Sequence, residues 1–528
     1  MTPAAHAVVT LARRGLLTPA APHRVPAQIG ALRRWGYGLG GSLLSAAARS
    51  PSRVALADPA GTLTYAEVRD QALRLARSLR QTTDLPAVQA AADGQAGGAA
   101  VGGGAGIGPG DRVGVLCRNH RGFVLSAVAL SLLGADVVLI NTAFSAAQIA
   151  AVVRDHGLRL VVHDPEFSVS GTATLSSAGF EALPDPGGPL TPPRRPGPTV
   201  VLTSGTTGTP KGARRPNPAG LGPLVSILDR IPVQAGDRLM IAAPLFHTWG
   251  YAALQLAFGL RASVVLTPRF APESLVDTVR THRCTGVFAV PVMLSRLLDA
   301  GAVLPGVRVV AVSGSALPGD LATRFMDTHG DVLYNLYGST EVSWASVATP
   351  AELRRSPATA GRPPRGTRVM ILGADGSPVP PGTVGRIFVG NDMLFEGYAG
   401  DLGGVESRDG LLATGDLGVL DASGLLTVSG RADDMVVSGG ENVFPSAVED
   451  LLATLPGVRE VAVVGVPDPT FGQRLAAHVV CHAGASVSAD DVREHVRRHG
   501  AAFAVPRDVR FLAALPRTAT GKVIKRAL

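Results

Sequence analysis

Thr199-Val200-Val201-Leu202-Thr203-Ser204-Gly205-Thr206-Thr207-Gly208-Thr209-Pro210-Lys211-Gly212 is the stretch on which the reading of this chain turns. Thr199–Leu202 is a short apolar, β-branched run, the pattern of a buried strand. From Thr203 onward apolar residues vanish and glycine and hydroxyl residues take over. Glycines let the backbone turn tightly enough for several N–H groups to converge, and the hydroxyls add donors, so such a turn suits phosphate oxygens. It is not the Walker loop, which needs Gly-Lys followed by Ser or Thr; here Pro210 precedes Lys211 and Gly212 follows it.

Around this stretch, from Asp111 to Val332, short β-rich runs alternate with helical patterns. Strands are expected at Arg112–Leu116, Asp136–Ile140, Leu158–Val162, Ser263–Thr267, Gly286–Ala289, Arg308–Val312 and Val332–Asn335. Helices are expected at Gly122–Leu133, Ala146–Asp155, Pro272–His282, Val292–Ala300 and Gly319–Thr328. The alternation predicts an α/β fold, layered sheets with helices on both faces. Beyond Gly430 the pattern changes. Helix-like Ser446–Leu455 and Ala489–His499, with strand-like Val458–Val466, Leu475–His482 and Val509–Leu512, predict a compact α+β unit of about 100 residues. The domain reading is therefore 1–430 followed by a small C-terminal unit, 431–528. Within the first, Gln89–Gly110 is Ala- and Gly-rich and is expected to be a flexible surface insertion, because it buries too little to repay ordering.

With 528 residues, 46% of them hydrophobic, the chain can build a large core. It has no uninterrupted apolar run of roughly 18 residues, so no membrane-spanning helix is expected. Arg13-Arg14 is followed by no apolar run of signal-peptide length, and Pro19, Pro22 and Pro26 interrupt what comes next. Cys117, Cys284 and Cys481 are scattered and show neither a disulfide framework nor metal-ligand spacing; a reducing cytoplasm fits best. A net charge of +8 raises nucleic acid as a partner, but the arginines are dispersed and only 5% of residues are aromatic. A basic surface also suits phosphate-bearing substrates. Leu11–Trp35, with its arginines and interleaved leucines, leaves peripheral contact with a membrane open. Its prolines favour a solvated N-terminal extension over residues 1–50.

Of the 49 basic residues only Lys211, Lys522 and Lys525 are lysines. A bias this strong replaces lysine wherever any cation suffices. Lysine offers a compact point charge on a slim stem where arginine offers a planar fork, so the survivors are candidates for jobs arginine cannot do, though Lys525 is assigned none.

Further motifs follow in order. Pro244-Leu245-Phe246-His247-Thr248-Trp249-Gly250 sets one histidine among apolar residues. Ser313-Gly314-Ser315-Ala316 and Tyr337-Gly338-Ser339-Thr340-Glu341 each follow an apolar strand. Thr414-Gly415-Asp416, Gly430-Arg431-Ala432-Asp433-Asp434, Ser438-Gly439-Gly440-Glu441-Asn442-Val443 and Pro516-Arg517-Thr518-Ala519-Thr520-Gly521-Lys522 complete the series. In this order the set resembles the adenylate-forming superfamily of acyl-CoA synthetases, peptide-synthetase adenylation domains and luciferases. The resemblance covers most of the chain, leaving the N-terminal extension and the Ala/Gly insertion unassigned.

The resemblance implies a large adenylate-forming domain with a small mobile C-terminal domain, and ATP, Mg²⁺ and coenzyme A as cofactors. Thr203, Ser204, Gly205, Thr206, Thr207, Gly208 and Lys211 would cradle phosphates. Gly314, Ser315 and Ala316 would line the adenine, Tyr337 would stack on it, and Gly338, Ser339 and Thr340 would lie by the phosphate. Glu341 would hold Mg²⁺, a hard ion that prefers carboxylate and phosphate oxygens. Asp416 would bind the ribose hydroxyls, Arg431 ribose and phosphate, and Asp433 would be the hinge. His247 would border the acyl group as a gate, Gly439 and Gly440 would admit the pantetheine arm, and Lys522 would bridge carboxylate and α-phosphate. Many relatives carry a basic residue near Glu441–Asn442, which this chain lacks.

The expected activity is that of an acid–thiol ligase, an AMP-forming acyl-CoA synthetase. Pro244–His247 and Gly440–Pro445 look most like bacterial fatty acyl-CoA synthetases, so a medium- or long-chain fatty acid is the expected substrate. An aryl acid, transfer to a separate acyl carrier protein, and an inactive nucleotide- or acyl-binding protein are the alternatives. Nucleic acid ranks last.

Overall fold

The computed structural model describes residues 2–19, 21–81, 106–203, 210–399, 404–438, 441–468, 472–518 and 521–528. Two mainly parallel sheets carry the body. The first has eight strands in the order Ser346–Ala348, Leu333–Tyr337, Val309–Val312, Gly286–Ala289, Arg238–Ile241, Ser263–Val265, Val54–Asp58 and Gly61–Thr64. Only the outermost pairing at each edge is antiparallel. The second has six, in the order Ala173–Ser176, Leu160–His163, Arg112–Leu116, Asp136–Leu139, Thr199–Thr203 and Lys211–Arg215, with the last pair antiparallel. Inner strands such as Val309–Val312 and Asp136–Leu139 are buried along their whole length, as strands covered on both faces must be.

Helix Arg121–Leu133 lies against strands of both sheets and is apolar nearly all round, which suits an element with no solvent face. The His120 side chain caps its start by accepting from Gly122 N, and Gly134 ends it at φ +75°, a left-handed stop that glycine takes without a Cβ penalty. Strands Arg112–Leu116 and Gly286–Ala289 and helices Ala146–Asp155 and Ala489–His499 have the bounds expected from the sequence.

An antiparallel five-stranded sheet follows, made of Arg368–Leu372, Gly385–Gly390, Ser407–Arg408, Leu411–Leu420 and Leu426–Arg431. No pattern in the sequence announced it. Register shifts between Arg386 and Phe388 and between Leu417 and Gly418 break the period-two alternation by which such strands are recognised. The C-terminal sheet joins Val436–Ser438, Glu441–Val443, Val458–Asp468, Gly472–Cys481 and Asp508–Phe511. Val448, Leu452, Val463, Val479, Val492 and Val496 give it a core of its own, apart from the main one.

The N-terminal 50 residues divide: residues 2–35 lie at the surface, where Thr10 is the only buried residue among those described, and the rest enter the core. Helix Leu39–Arg49 is buried almost throughout, packed between Arg121–Leu133 and helix Thr248–Gly259. A Cβ on Gly40 would lie 2.8 Å from Leu132 Cδ2, so glycine sets this close approach. Helix Pro3–Arg13 docks on helix Gly222–Arg230. His6 Nε2 lies 2.8 Å from Asp229 Oδ1, and Arg14 donates twice to the Leu228 carbonyl, at 3.0 and 2.8 Å. The prolines start or punctuate these helices without freeing the segment. Most of the expected Gln89–Gly110 insertion lies outside the described residues. Its end is core: Ile107 is fully buried and its N–H donates to Leu79 O. Among the described residues no helix is long and apolar enough to cross a membrane.

Candidate active site

Strand Leu333–Tyr337 delivers Tyr337 and then the turn Gly338–Glu341, while Val309–Val312 delivers Ser313 and Gly314 beside it. Crevices outside the carboxyl ends of parallel strands are where open α/β sheets take ligands. A Cβ on Gly338 would lie 2.2 Å from Ser343 O, so only glycine lets this turn close. Ser313, Gly314, Gly338, Ser339 and Thr340 line one end of a cavity of about 630 Å³. Ser315 and Ala316 share the turn but are not part of its wall.

Asp416 and Arg431 stand opposite each other on strands Leu411–Leu420 and Leu426–Arg431. Tyr337 donates its hydroxyl to Asp416 Oδ2, and Arg431 Nη1 lies 3.6 Å from Asp416 Oδ1. Burial lifts the Asp416 carboxyl above the usual carboxylate range, against the opposing pull of the Tyr337 hydrogen bond, Arg431 and Lys522. The same burial, with Asp416's charge, drives the Tyr337 hydroxyl well above its ordinary value. Asp416 is thus a partly buried acceptor already held in place on its protein side, a geometry suited to neutral hydroxyl donors.

A second group surrounds Glu341. Its Oε1 accepts from the Tyr398 hydroxyl at 2.8 Å, and Lys211 Nζ sits 5.6 Å above the Tyr398 ring. Arg215 donates to Thr340 O at 2.6 Å; burial lowers its guanidinium to about 10 against the pull of Glu341. Among the described residues no three His, Cys, Asp or Glu side chains gather to hold a metal. One carboxylate fits an ion such as Mg²⁺, which takes its remaining oxygens from phosphate and water.

His247 opens helix Thr248–Gly259 without capping it through its side chain. Its ring is tilted against Phe246 with centroids 4.7 Å apart, and Nε2 is buried with no partner among the described residues. Burial brings its pKa down to about 4, so the imidazole is neutral near pH 7. From His247 the cavity follows the face of this helix bearing Trp249, Ala253 and Leu256. Its wall also takes in Ile29 and Leu32 of the N-terminal segment, Arg49 and Arg261.

The phosphate turn itself, Ser204 to Thr209, and the side chain of Thr203 lie outside the described residues. Its flanks are set: Thr203 pairs with Lys211 across an antiparallel ladder. Gly439 and Gly440 are likewise outside, between Ser438 and Glu441, which pair. Asp433 accepts from Arg431 Nε at 3.0 Å.

Ala519 and Thr520 of the C-terminal lysine motif lie outside the described residues, but Gly521 sits against helix Pro291–Asp299. A Cβ on Gly521, at φ +80°, would lie 2.2 Å from Val292 Cγ1. The loop is closed by Thr518 N donating to Lys522 O at 2.8 Å. Lys522 lies close enough to lower the carboxyls of both Asp416 and Asp433 electrostatically. Lys525, to which no role was given, pairs with Glu449 at 3.1 Å. Arg215 and Tyr398 escaped sequence reading. The first is one arginine among many, and the second lies outside every motif.

The profile of the AMP-binding enzyme family matches residues 99–399, and that of the AMP-binding enzyme C-terminal domain matches 447–522. The chain belongs to the AMP-binding enzyme family. It is an acid–thiol ligase of that family, with ATP, Mg²⁺ and coenzyme A as its cofactors and co-substrates. A feruloyl-CoA synthase from Amycolatopsis sp. is 32% identical over 92% of this chain and 98% of its own length. An indoleacetate–CoA ligase from Aromatoleum aromaticum is 35% identical over 68% of this chain and 71% of its own. Among solved structures, o-succinylbenzoate CoA synthetase from Bacillus subtilis in complex with its acyl-adenylate intermediate superposes with a TM-score of 0.78. It is 28% identical, and the match covers 92% of this chain and 97% of that one.

Proposed function

We propose that this ligase activates an elongated, ring-bearing carboxylic acid as its acyl-adenylate and passes the acyl group to coenzyme A. The observation that carries the reading is the single cavity joining the Ser313–Gly314 and Gly338–Thr340 turns to the apolar Trp249–Leu256 helix face. A pocket of this kind places a carboxylate beside a nucleotide and its apolar remainder along a helix. The ring-bearing acids in the names of the relatives support an aryl substrate, and the fatty acid expected from sequence gives way to it as the second reading. That second reading rests on the length of the apolar helix face.

In the first half-reaction the acid's carboxylate attacks the α-phosphate and pyrophosphate leaves. Asp416, held by Tyr337, would accept the ribose hydroxyls, and Tyr337 would flank the adenine. Glu341, oriented by Tyr398, would hold Mg²⁺, which when bound supplies charge neutralisation at the phosphates. Lys211 and the turn Thr203–Gly208 would cradle those phosphates. Lys522 would sit against the negative charge that builds as carboxylate and phosphate approach. His247, neutral and unpaired, would border the acyl carboxylate as a gate without exchanging a proton. For the second half-reaction the C-terminal unit, residues 431–528, would turn about Asp433. That motion withdraws Lys522 and brings Gly439–Gly440 to the thiol.

The test is AMP and thioester formation from ATP, Mg²⁺ and coenzyme A with a panel of arylpropenoic, arylacetic and fused-ring propanoic acids set against saturated fatty acids. Thioester from the ring-bearing acids is the expected result. Turnover confined to fatty acids overturns the substrate reading. Adenylate without thioester transfers the acyl acceptor to a carrier protein, and no adenylate with any acid leaves a binding protein.

A further inference from the structure

The far end of the cavity is not apolar. Arg49 and Arg261 both line it, and they are only 6% and 4% exposed. Arg49 closes helix Leu39–Arg49, and Arg261, in a left-handed conformation at φ +53°, follows helix Thr248–Gly259. Each guanidinium gives one nitrogen to a neutral carbonyl of the N-terminal segment, Arg49 Nη2 to Thr18 O and Arg261 Nη2 to Gly15 O at 3.4 Å. The other terminal nitrogen of each, Nη1, is buried with no partner among the described residues.

Among the described residues neither has an acidic partner. Burial lowers the Arg261 guanidinium, and Arg49 and Arg53 push the same way against the pull of Tyr65. Tyr65 spends its hydroxyl on Ala262 O at 2.7 Å. The ends of the two helices contribute only partial negative charge. Arginines this deeply buried are ordinarily paired, because desolvating a charge without a counterion costs several kcal/mol. Two such cations facing one cavity put positive charge at the end of the chamber remote from the nucleotide turns.

We propose that the acid activated here carries a second anionic group, a carboxylate, sulfonate or phenolate, at the end remote from its reacting carboxyl, and that Arg49 and Arg261 receive it. The inference rests on the ligase reading of the same cavity. The Thr248–Gly259 helix, about 18 Å long at 1.5 Å per residue, separates His247 at the nucleotide end from Arg261. The substrate is therefore extended, with its two acidic groups at opposite ends. Arg49 and Arg261 are specificity-determining residues and take no part in the adenylation chemistry.

Matched series of phenylalkanoic acids with and without a para-carboxylate on the ring provide the test. In the parent enzyme, at the best length, kcat/KM for the diacid should exceed that for the monoacid by about tenfold or more, whereas an apolar chamber would reject the second charge. Arg49→Met and Arg261→Met should reverse the order while keeping monoacid turnover, which also reports that the variants fold. Arg261→Lys, which keeps the charge, should keep the preference. Because both arginines also hold the N-terminal segment, Arg14→Ala serves as control. It loosens that segment without removing a cavity cation and should change both acids alike. A monoacid preference in the parent enzyme, or a diacid preference that survives both methionine variants, overturns the inference. Failure of every acid to release AMP overturns the ligase reading, and this inference with it.

Discussion

The two ends of the cavity are built on different plans. At the nucleotide end the side chains come from turns directly after strands or, for Asp416 and Arg431, from facing strands, and neighbours in sequence are neighbours in the site: Ser313–Gly314, Gly338–Glu341, Thr414–Asp416. At the acyl end the wall is assembled from helix faces far apart in the chain, with Leu32 and Arg49 meeting Leu224, Leu256 and Arg261. The first plan fixes reacting groups on rigid strand ends. The second leaves side chains free to be exchanged without disturbing the sheets. One end is therefore suited to a constant chemistry and the other to a changeable substrate.

The largest expected effect breaks the nucleotide end alone. Lys522→Ala should lower acyl-adenylate formation by about 10²–10³, the scale of removing one preorganised electrostatic group at a developing charge. Thioester formation from a preformed acyl-adenylate should fall by no more than a few-fold, because Lys522 would have left the site by then. Pyrophosphate release and thioester yield, measured separately, check the split. Equal losses in both would sink the role assigned to Lys522 and the hinge at Asp433 with it.

That contrast also explains what the sequence disclosed. Strand-then-turn motifs can be read because the glycines and hydroxyls that shape a turn are contiguous, and so the α/β alternation and the turns after Val309–Val312 and Leu333–Tyr337 were legible. The N-terminal segment was misread. Its prolines suggested loops, and the glycines of Leu39-Gly40-Gly41 hid a helix whose packing depends on a contact with Leu132, far away in sequence. The five-stranded sheet was lost to its register shifts, and Arg49, Arg261 and Arg215 to an arginine bias that makes every arginine look generic. Burial without a counterion singles out Arg49 and Arg261, and burial is a property of the fold.

A mid-sized effect should confine itself to the acyl end. Ala253 is buried on helix Thr248–Gly259, on the face that lines the cavity. Ala253→Trp fills the chamber partway along. It should cut kcat/KM for the bulkiest acids by about 10–200-fold relative to the shortest, the range that pocket shape commonly supplies. KM for ATP should stay within about twofold, since a change at one end of a divided site does not reach the other. Parallel loss of ATP affinity would show that the two ends are coupled through the Thr248–Gly259 helix.

The smallest effect sharpens the comparison within the nucleotide end. Tyr398 reaches Glu341 through one hydrogen bond and offers its ring to Lys211, so Tyr398→Phe removes the first contact and keeps the second. A single hydrogen bond to a charged group contributes about 1.5–3 kcal/mol at most, and less where water replaces it. Glu341 is only half-buried, and water can take the place of the hydroxyl. The expected outcome is a rise of about fivefold in the Mg²⁺ concentration needed for half-maximal adenylation, with the acid preference unchanged. Tyr398→Ala, which also removes the ring beneath Lys211, should add a rise in KM for ATP. If the two variants behave alike, Tyr398 acts on Glu341 alone. If Tyr398→Phe changes nothing, Glu341 is positioned without it, by its own backbone, whose carbonyl accepts from Phe395 N at 2.8 Å.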